Sequence, residues 1–178
     1  MNRCIQKLIQ EQFNIGNMDL TNNKPKRNMS IFNKEYIHPY YYNVLDGTAT
    51  KNEINELNSF GGLVTIKNKD ELKKIIDFYS EKYPKDSLNW LDVSRITDMS
   101  HLFKHSLYNG DISKWDVSNV TNMNYMFYDA FYFNQPIGKW DVSNVTDMSG
   151  MFYCAYDFNQ PIGKWDVSNV TDMSFMFC

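Results

Sequence analysis

The sequence predicts an α/β solenoid: a leucine-rich-repeat-like, right-handed stack of units, each a short strand plus a short helix, with a helical cap at the N-terminal end. Three observations predict it. The heptapeptide WDVSNVT is written three times, at 115–121, 140–146 and 165–171, with starts 25 residues apart. Self-similarity at such a period marks stacked repeats, in which a unit too small to bury its own apolar face is covered by its neighbours. Inside a unit, Val142 and Val145 lie in a β-favouring run, and then Met148, Met151, Phe152 and Ala155 fall at i, i+3, i+4, i+7, the spacing of one helical face. An amphipathic segment precedes the first unit, where a stack needs a cap over its first apolar cross-section.

The 178 residues are 43% hydrophobic and 16% aromatic, with ten Met, enough for a core. Formal charge is −3 but uneven: residues 1–90 carry 13 Lys/Arg against 11 Asp/Glu, and residues 91–178 carry 5 against 10. An acidic repeat surface argues against nucleic acid, whose phosphates are bound by displacing counterions with Lys and Arg. Three Cys (Cys4, Cys154, Cys178) without a spacing pattern do not form a disulfide framework. The N-terminal stretch has no apolar run of signal-peptide kind. No stretch approaches the roughly 18 apolar residues of a membrane span. An intracellular or virion-associated place is therefore expected over a secreted one.

Taken in order, residues 1–60 read as an N-terminal arm, partly irregular or disordered. Within it, Ile5, Leu8, Ile9 and Phe13 could line a short amphipathic helix; 14–30 are polar and linker-like; 31–60 hold a Tyr cluster with turns at His38-Pro39 and Asp46-Gly47. Residues 61–90 read as a strand–helix cap. Leu63-Val64-Thr65-Ile66 is β-type, Asn68 is positioned to cap a helix with Glu71 reaching back, and Leu72, Ile75, Ile76 and Tyr79 share a face until Pro84 stops it. Residues 91–178 are the repeats: a degenerate unit 91–114 with Leu91 in the Trp slot, full units 115–139 and 140–164, and an incomplete unit 165–178. In each, a parallel ladder is expected between DVSNVT segments, and FNQPIG ends the helix because Pro161 has no amide donor and Gly163 favours a turn.

The units WDVSNVTNMNYMF and FNQPIGKWDVSNVTDMSGMF, with the lead-in LNWLDVSRITDMSHLF, resemble the BspA-like leucine-rich repeat proteins of the 25-to-26-residue type over residues 63–178. Members occur as bacterial surface proteins and in large DNA viruses. The resemblance implies a non-catalytic recognition or adhesion repeat; unlike the surface members, this chain shows no export signal and has few units.

Most recurring residues read as structural. Trp115/Trp140/Trp165, Met123/Met148/Met173 and Phe127/Phe152/Phe177 recur as a repeated core slot demands. Asp116/Asp141/Asp166 and Asp98/Asp147/Asp172 read as backbone caps rather than calcium ladders. Asn109/Asn134/Asn159 read as a loop-bonding ladder. His101 and His105 have zinc-compatible i, i+4 spacing but no Glu of an HExxH motif and no third ligand. No cofactor site, phosphate loop or nucleophile–base pair is legible. Two surfaces remain. Tyr125, Tyr128, Phe131, Tyr132, Tyr153 and Tyr156 exceed what a unit's core can hold, so an outer aromatic stripe is expected to bind a protein. Val170, Met173, Met176 and Phe177 form the apolar cross-section of the last unit, expected to dock a partner or a second copy. The functional expectation is a non-enzymatic interaction or structural scaffold, such as a component of a larger viral assembly. The alternative is an adhesin for a host protein or carbohydrate.

Overall fold

The computed structural model describes residues 38, 40–59 and 63–177, together with two short strands at 18–19 and 24–25. The chain divides into two compact units, Met1–Glu35 and Tyr36–Cys178. In the first, β1 (Met18–Asp19) pairs antiparallel with β2 (Lys24–Pro25), Met18 opposite Pro25. This pair falls in the stretch read as linker; the helix expected over residues 1–13 lies outside the described residues.

The second unit begins with two helices where the sequence suggested an irregular arm. They are α1 (Tyr41–Leu45) and α2 (Lys51–Ser59). The turn at Asp46-Gly47 is present, with Gly47 at φ +71°, a left-handed conformation that glycine adopts without cost. Glu53 ties the connection together: one carboxylate oxygen accepts the Thr50 amide (2.8 Å) and the other the Asn43 side-chain amide (2.9 Å). Tyr41, Val44, Ile54 and Leu57 are buried in the core shared with the repeats. Helices this short are marginal alone and owe their stability to packing. With two buried residues apiece they leave little periodicity in the sequence.

Lys69–Lys82 forms α3. Its buried face is the expected Leu72, Ile75, Ile76 and Tyr79, with Phe78 added. The Asn68 side chain accepts the Glu71 amide (2.9 Å), while the Glu71 carboxylate accepts the Lys67 amide (2.7 Å); the return bond lands one residue earlier than in a regular capping box. The helix ends at Tyr83, before Pro84. Preceding it, β3 (Val64–Thr65) runs parallel to β4 (Leu91–Asp92). From α3, Lys69 Nζ reaches Asp98 (2.9 Å) and the Ser100 hydroxyl (2.6 Å), and the Ser80 and Ser106 hydroxyls meet at 2.6 Å. The helix therefore lies against the first repeat.

The repeats depart from expectation in two ways. The segment expected to be a short helix is a run of overlapping turns. Met123, Tyr125, Phe127 and Asp129 donate their amides to Asp147, Ser149, Met151 and Tyr153 of the next unit at 2.8–2.9 Å, while Met126, Tyr128 and Ala130 donate three residues back. With alternate amides directed sideways, no i→i−4 ladder can close. Positive φ recurs four residues apart, at His101 and His105, Tyr125 and Asp129, Gly150 and Cys154. Met148, Met151, Phe152 and Ala155 are nonetheless all buried, so the spacing located the inner face correctly and the backbone wrongly.

The second departure is the ladder itself. Its parallel bridges join Asp98, Asn122, Asp147 and Asp172, one step beyond DVSNVT. Of the DVSNVT backbone amides only those of Thr cross between units, Thr121 to Thr97, Thr146 to Thr121 and Thr171 to Thr146, each 2.8 Å. The preceding residues turn instead, because each Asp carboxylate takes the amide of the Ser two residues on.

One buried group makes folding pH-dependent. His38 is buried, its Nδ1 accepts the Tyr40 amide (3.3 Å), and burial lowers the imidazole from 6.5 to about 4. Between those values the unfolded chain binds the proton that the folded chain refuses. Stability is therefore full above about pH 6.5 and falls by about 1.4 kcal/mol per pH unit down to about pH 4. Denaturant melts from pH 7.5 to 4.5 should show this slope in the wild type and lose it in His38→Phe; equal slopes would remove His38 as the cause.

Candidate functional site

Three ladders occupy the inside of the stack and leave little chemistry there, and a fourth ties its loops together. Trp115, Trp140 and Trp165 are buried, the first two rings are parallel at 6.5 Å, and each indole N–H donates to a carbonyl slightly more than one repeat earlier in the chain: Leu88, Ile112 and Ile137. Phe103, Phe127, Phe152 and Phe177 stack at 5.1–5.5 Å. Met123 and Met148 are fully buried. The Asn ladder bonds neighbouring loops, with the Asn109 side-chain oxygen accepting both the Asn134 amide (3.0 Å) and the Gln135 side chain (2.8 Å), a set repeated by Asn134 with Asn159 and Gln160. A second Asn ladder escaped the sequence reading. Asn119, Asn144 and Asn169 donate to Ser94, Ser118 and Ser143 carbonyls of the preceding unit; its signal was simply recurrence at exposed positions.

The carboxylates are turn-formers. Asp141 accepts the Ser143 amide (3.1 Å) and hydroxyl (2.7 Å), and these bonds hold its carboxyl below the ordinary range, as the Ser168 bonds do for Asp166. Among the described residues no three His, Cys, Asp or Glu gather as a metal would require. In the bridge row, Lys69 neutralises Asp98 and the Asn124 side chain donates to Asp147 (3.1 Å). Neutral Asn122 stands between Asp98 and Asp147, whereas Asp147 and Asp172 face one another directly. Asn122→Asp would place like charges directly opposite one another and should cost about 0.5–1 kcal/mol, recovered in high salt. A melt unchanged at low salt would remove charge as the reason for Asn at this position.

The stripe residues come together on the outside as two neighbouring rows. Tyr128 and Tyr153 stack face to face (5.2 Å, 8° between planes), with Lys104 Nζ 4.9 Å over the Tyr128 ring; Tyr125 meets Tyr128 edge-on at 5.6 Å. Phe131 and Tyr156 stack at 5.4 Å and 3°. Phe131, Tyr132 and Tyr156 are 41%, 54% and 72% exposed, and Leu107, at the Phe131 register in the first unit, is 56% exposed. Tyr125, Tyr128 and Tyr153 are only half-buried. Phe133, by contrast, is fully buried, and Phe158 at the same register of the next unit is partly buried.

Two histidines border this face. The His101 ring lies flat on Tyr125 (5.3 Å, 7°), and partial burial, then Lys104 and Lys69, lower its imidazole below the usual value. His105 Nδ1 lies 3.1 Å from the Asp129 carboxylate and its ring meets Tyr128 edge-on. The two are thus engaged with the next unit separately. Gly150 replaces an aromatic at the His101/Tyr125 register: a Cβ there would lie 2.4 Å from the Tyr125 ring, which fills that space. Cys154 is a free thiol; Cys178 lies outside the described residues.

In the fourth unit, Met173 and Phe177 are 40% and 58% exposed, against 0% and 2% for Met148 and Phe152. Val170 and Met176 are half-buried. No helix among the described residues is long and apolar enough to cross a membrane. Comparison with known families matches residues 71–178 to one described as "Mycoplasma protein of unknown function, DUF285". Neither the curated proteins nor the solved structures include a match.

Proposed function

The chain belongs to the DUF285 family, and from that premise we propose that it is a non-catalytic protein-interaction scaffold. On this reading the stacked units are a right-handed solenoid of leucine-rich-repeat kind, of the BspA-like type, and the outer aromatic rows are the surface through which it joins a larger assembly. The observation that carries the reading is the pair of outer ring stacks, the half-buried Tyr128 on Tyr153 and the exposed Phe131 on Tyr156. A core has no need of Phe131, Tyr132 and Leu107 in water, and contiguous exposed apolar groups of this kind mark interfaces. The adhesin alternative has less support where its ligand is a sugar. Sugars lie against ring faces, and in stacked rows the faces are turned to one another, leaving the edges outward.

The test pairs folding with binding. Tyr128→Ser/Tyr153→Ser is expected to melt within a few degrees of the wild type and to lose the protein captured by the wild-type chain from a natural-source extract. Undiminished capture by the variant would sink the stripe as the interface. A particle mass that grows with concentration in light scattering, undiminished in the variant, would move the interface to the face holding Met173 and Phe177.

A further inference from the structure

We infer that the segment bound by the aromatic stripe is basic, an arginine-bearing stretch of a partner protein; this rests on the interaction-scaffold reading and specifies its partner. A cation already sits on the stripe. In the first unit the register of Tyr128 and Tyr153 is held by Lys104, whose ammonium lies over the Tyr128 ring at 4.9 Å. The chain thus uses a cation to finish its own ring row where a fellow ring is missing.

The surroundings continue that preference. Asp129 lies in sequence between the two rows and bonds to His105 (3.1 Å). Asp157 is exposed and takes the register that Tyr132 holds one unit earlier, with its amide donating to the Phe131 carbonyl (3.0 Å). Of the five Lys/Arg in residues 91–178, Lys114, Lys139 and Lys164 all recur just before a Trp slot, and ten Asp oppose the five. Lys104 is thus the one lysine of the repeats in this stretch.

An arginine suits such a surface. Its guanidinium is planar, weakly hydrated and able to bond a carboxylate through two N–H groups at once. The exposed Asp157 carboxylate, with the hydroxyls on the outward Tyr edges, supplies acceptors for those N–H groups. An acidic segment would meet Asp129 and Asp157 with like charge. Nucleic acid would meet the same repulsion along the whole acidic half.

The test uses the full chain and three fluorescein-labelled nonapeptides of one sequence, in which alternate positions are Arg, Gln or Glu. The Arg peptide is expected to bind at least tenfold more tightly than the other two, and its affinity to fall several-fold between 50 and 300 mM salt. Phe131→Ser/Tyr132→Ser should abolish most of that binding, and Asp157→Asn should weaken it several-fold, both with unchanged melts. If the Gln peptide binds as tightly as the Arg peptide and Phe131→Ser/Tyr132→Ser still abolishes it, the stripe is an interface but the basic-partner inference falls. If Arg-peptide binding ignores the Phe131/Tyr132 substitutions, the peptide sits elsewhere on the acidic surface and both readings fail. No binding by any peptide also overturns the basic-partner inference.

Discussion

Replacing Trp140 with alanine is expected to destabilise the protein by about 3–5 kcal/mol, the cost of deleting a fully packed large aromatic. For a chain of this size that is a fall in melting temperature on the order of 10 °C. The ring is 4% exposed and lies parallel to Trp115 at 6.5 Å and within 6.5 Å of Phe127. Its removal opens a cavity between two units whose backbones are pinned by amide bonds on either side and cannot close over it. It also leaves the Ile112 carbonyl without the indole donor that reaches it at 3.3 Å, a further loss of about 1 kcal/mol. Trp140→Phe should recover most of the packing and none of the hydrogen bond, and so fall between the two. A loss below about 1 kcal/mol for the alanine variant would mean that the Trp ladder is solvent-facing in solution.

How far the sequence could be read depended on which physical rule was unique. Recurrence at 25 residues identified the Trp, Met and Phe ladders as inner slots, because only a slot repeated in space demands a residue repeated in sequence. Asp141 and Asn134 were legible as backbone-bonding for the same reason. Asn68 and Glu71 announced α3 because capping chemistry is local. The turn-and-ladder backbone of 148–155 was not legible, since i, i+3, i+4, i+7 spacing is shared by a helix and by any path that brings those side chains inward. Its left-handed residues gave no help. His101, Tyr125, Asp129, Cys154 and Phe175 have φ of 51–58° without being glycine, so the usual marker of such positions is missing from all but Gly150. Amide bonds to the next unit hold His101, Tyr125 and Asp129 in that conformation. The short helices α1 and α2 were illegible because what stabilises them, contact with α3 and with residues 83–90 after it, is tertiary.

Deleting residues 115–139 is expected to leave a folded, cooperatively melting protein, shorter by one unit and less stable by one unit's interface. The joints on either side are interchangeable. Met99 and Phe103 donate to Asn122 and Met126 as Met123 and Phe127 donate to Asp147 and Met151; Thr121 bonds Thr97 as Thr146 bonds Thr121. Trp140 reaches Ile112 as Trp165 reaches Ile137. Removal joins Lys114 to Trp140, a Lys-Trp step already present at 139–140. It brings Phe152 onto Phe103, Tyr153 beside Lys104 and Tyr156 beside Leu107, each pair at an existing register. Stability in such an array is close to a sum of unit and nearest-neighbour terms, so the denaturant slope should fall in proportion to the surface lost, by roughly a sixth. One cost is specific: Asp147 would face Asp98 without Asn122 between them, and high salt should return part of the loss. Deleting 115–127 removes half as much chain but joins Lys114 to Tyr128, setting an outer residue in the Trp slot. That variant should lose the packing of everything beyond the first repeat. If the two deletions melt alike, the units do not act as units, and the account of the ladders as interchangeable layers is wrong.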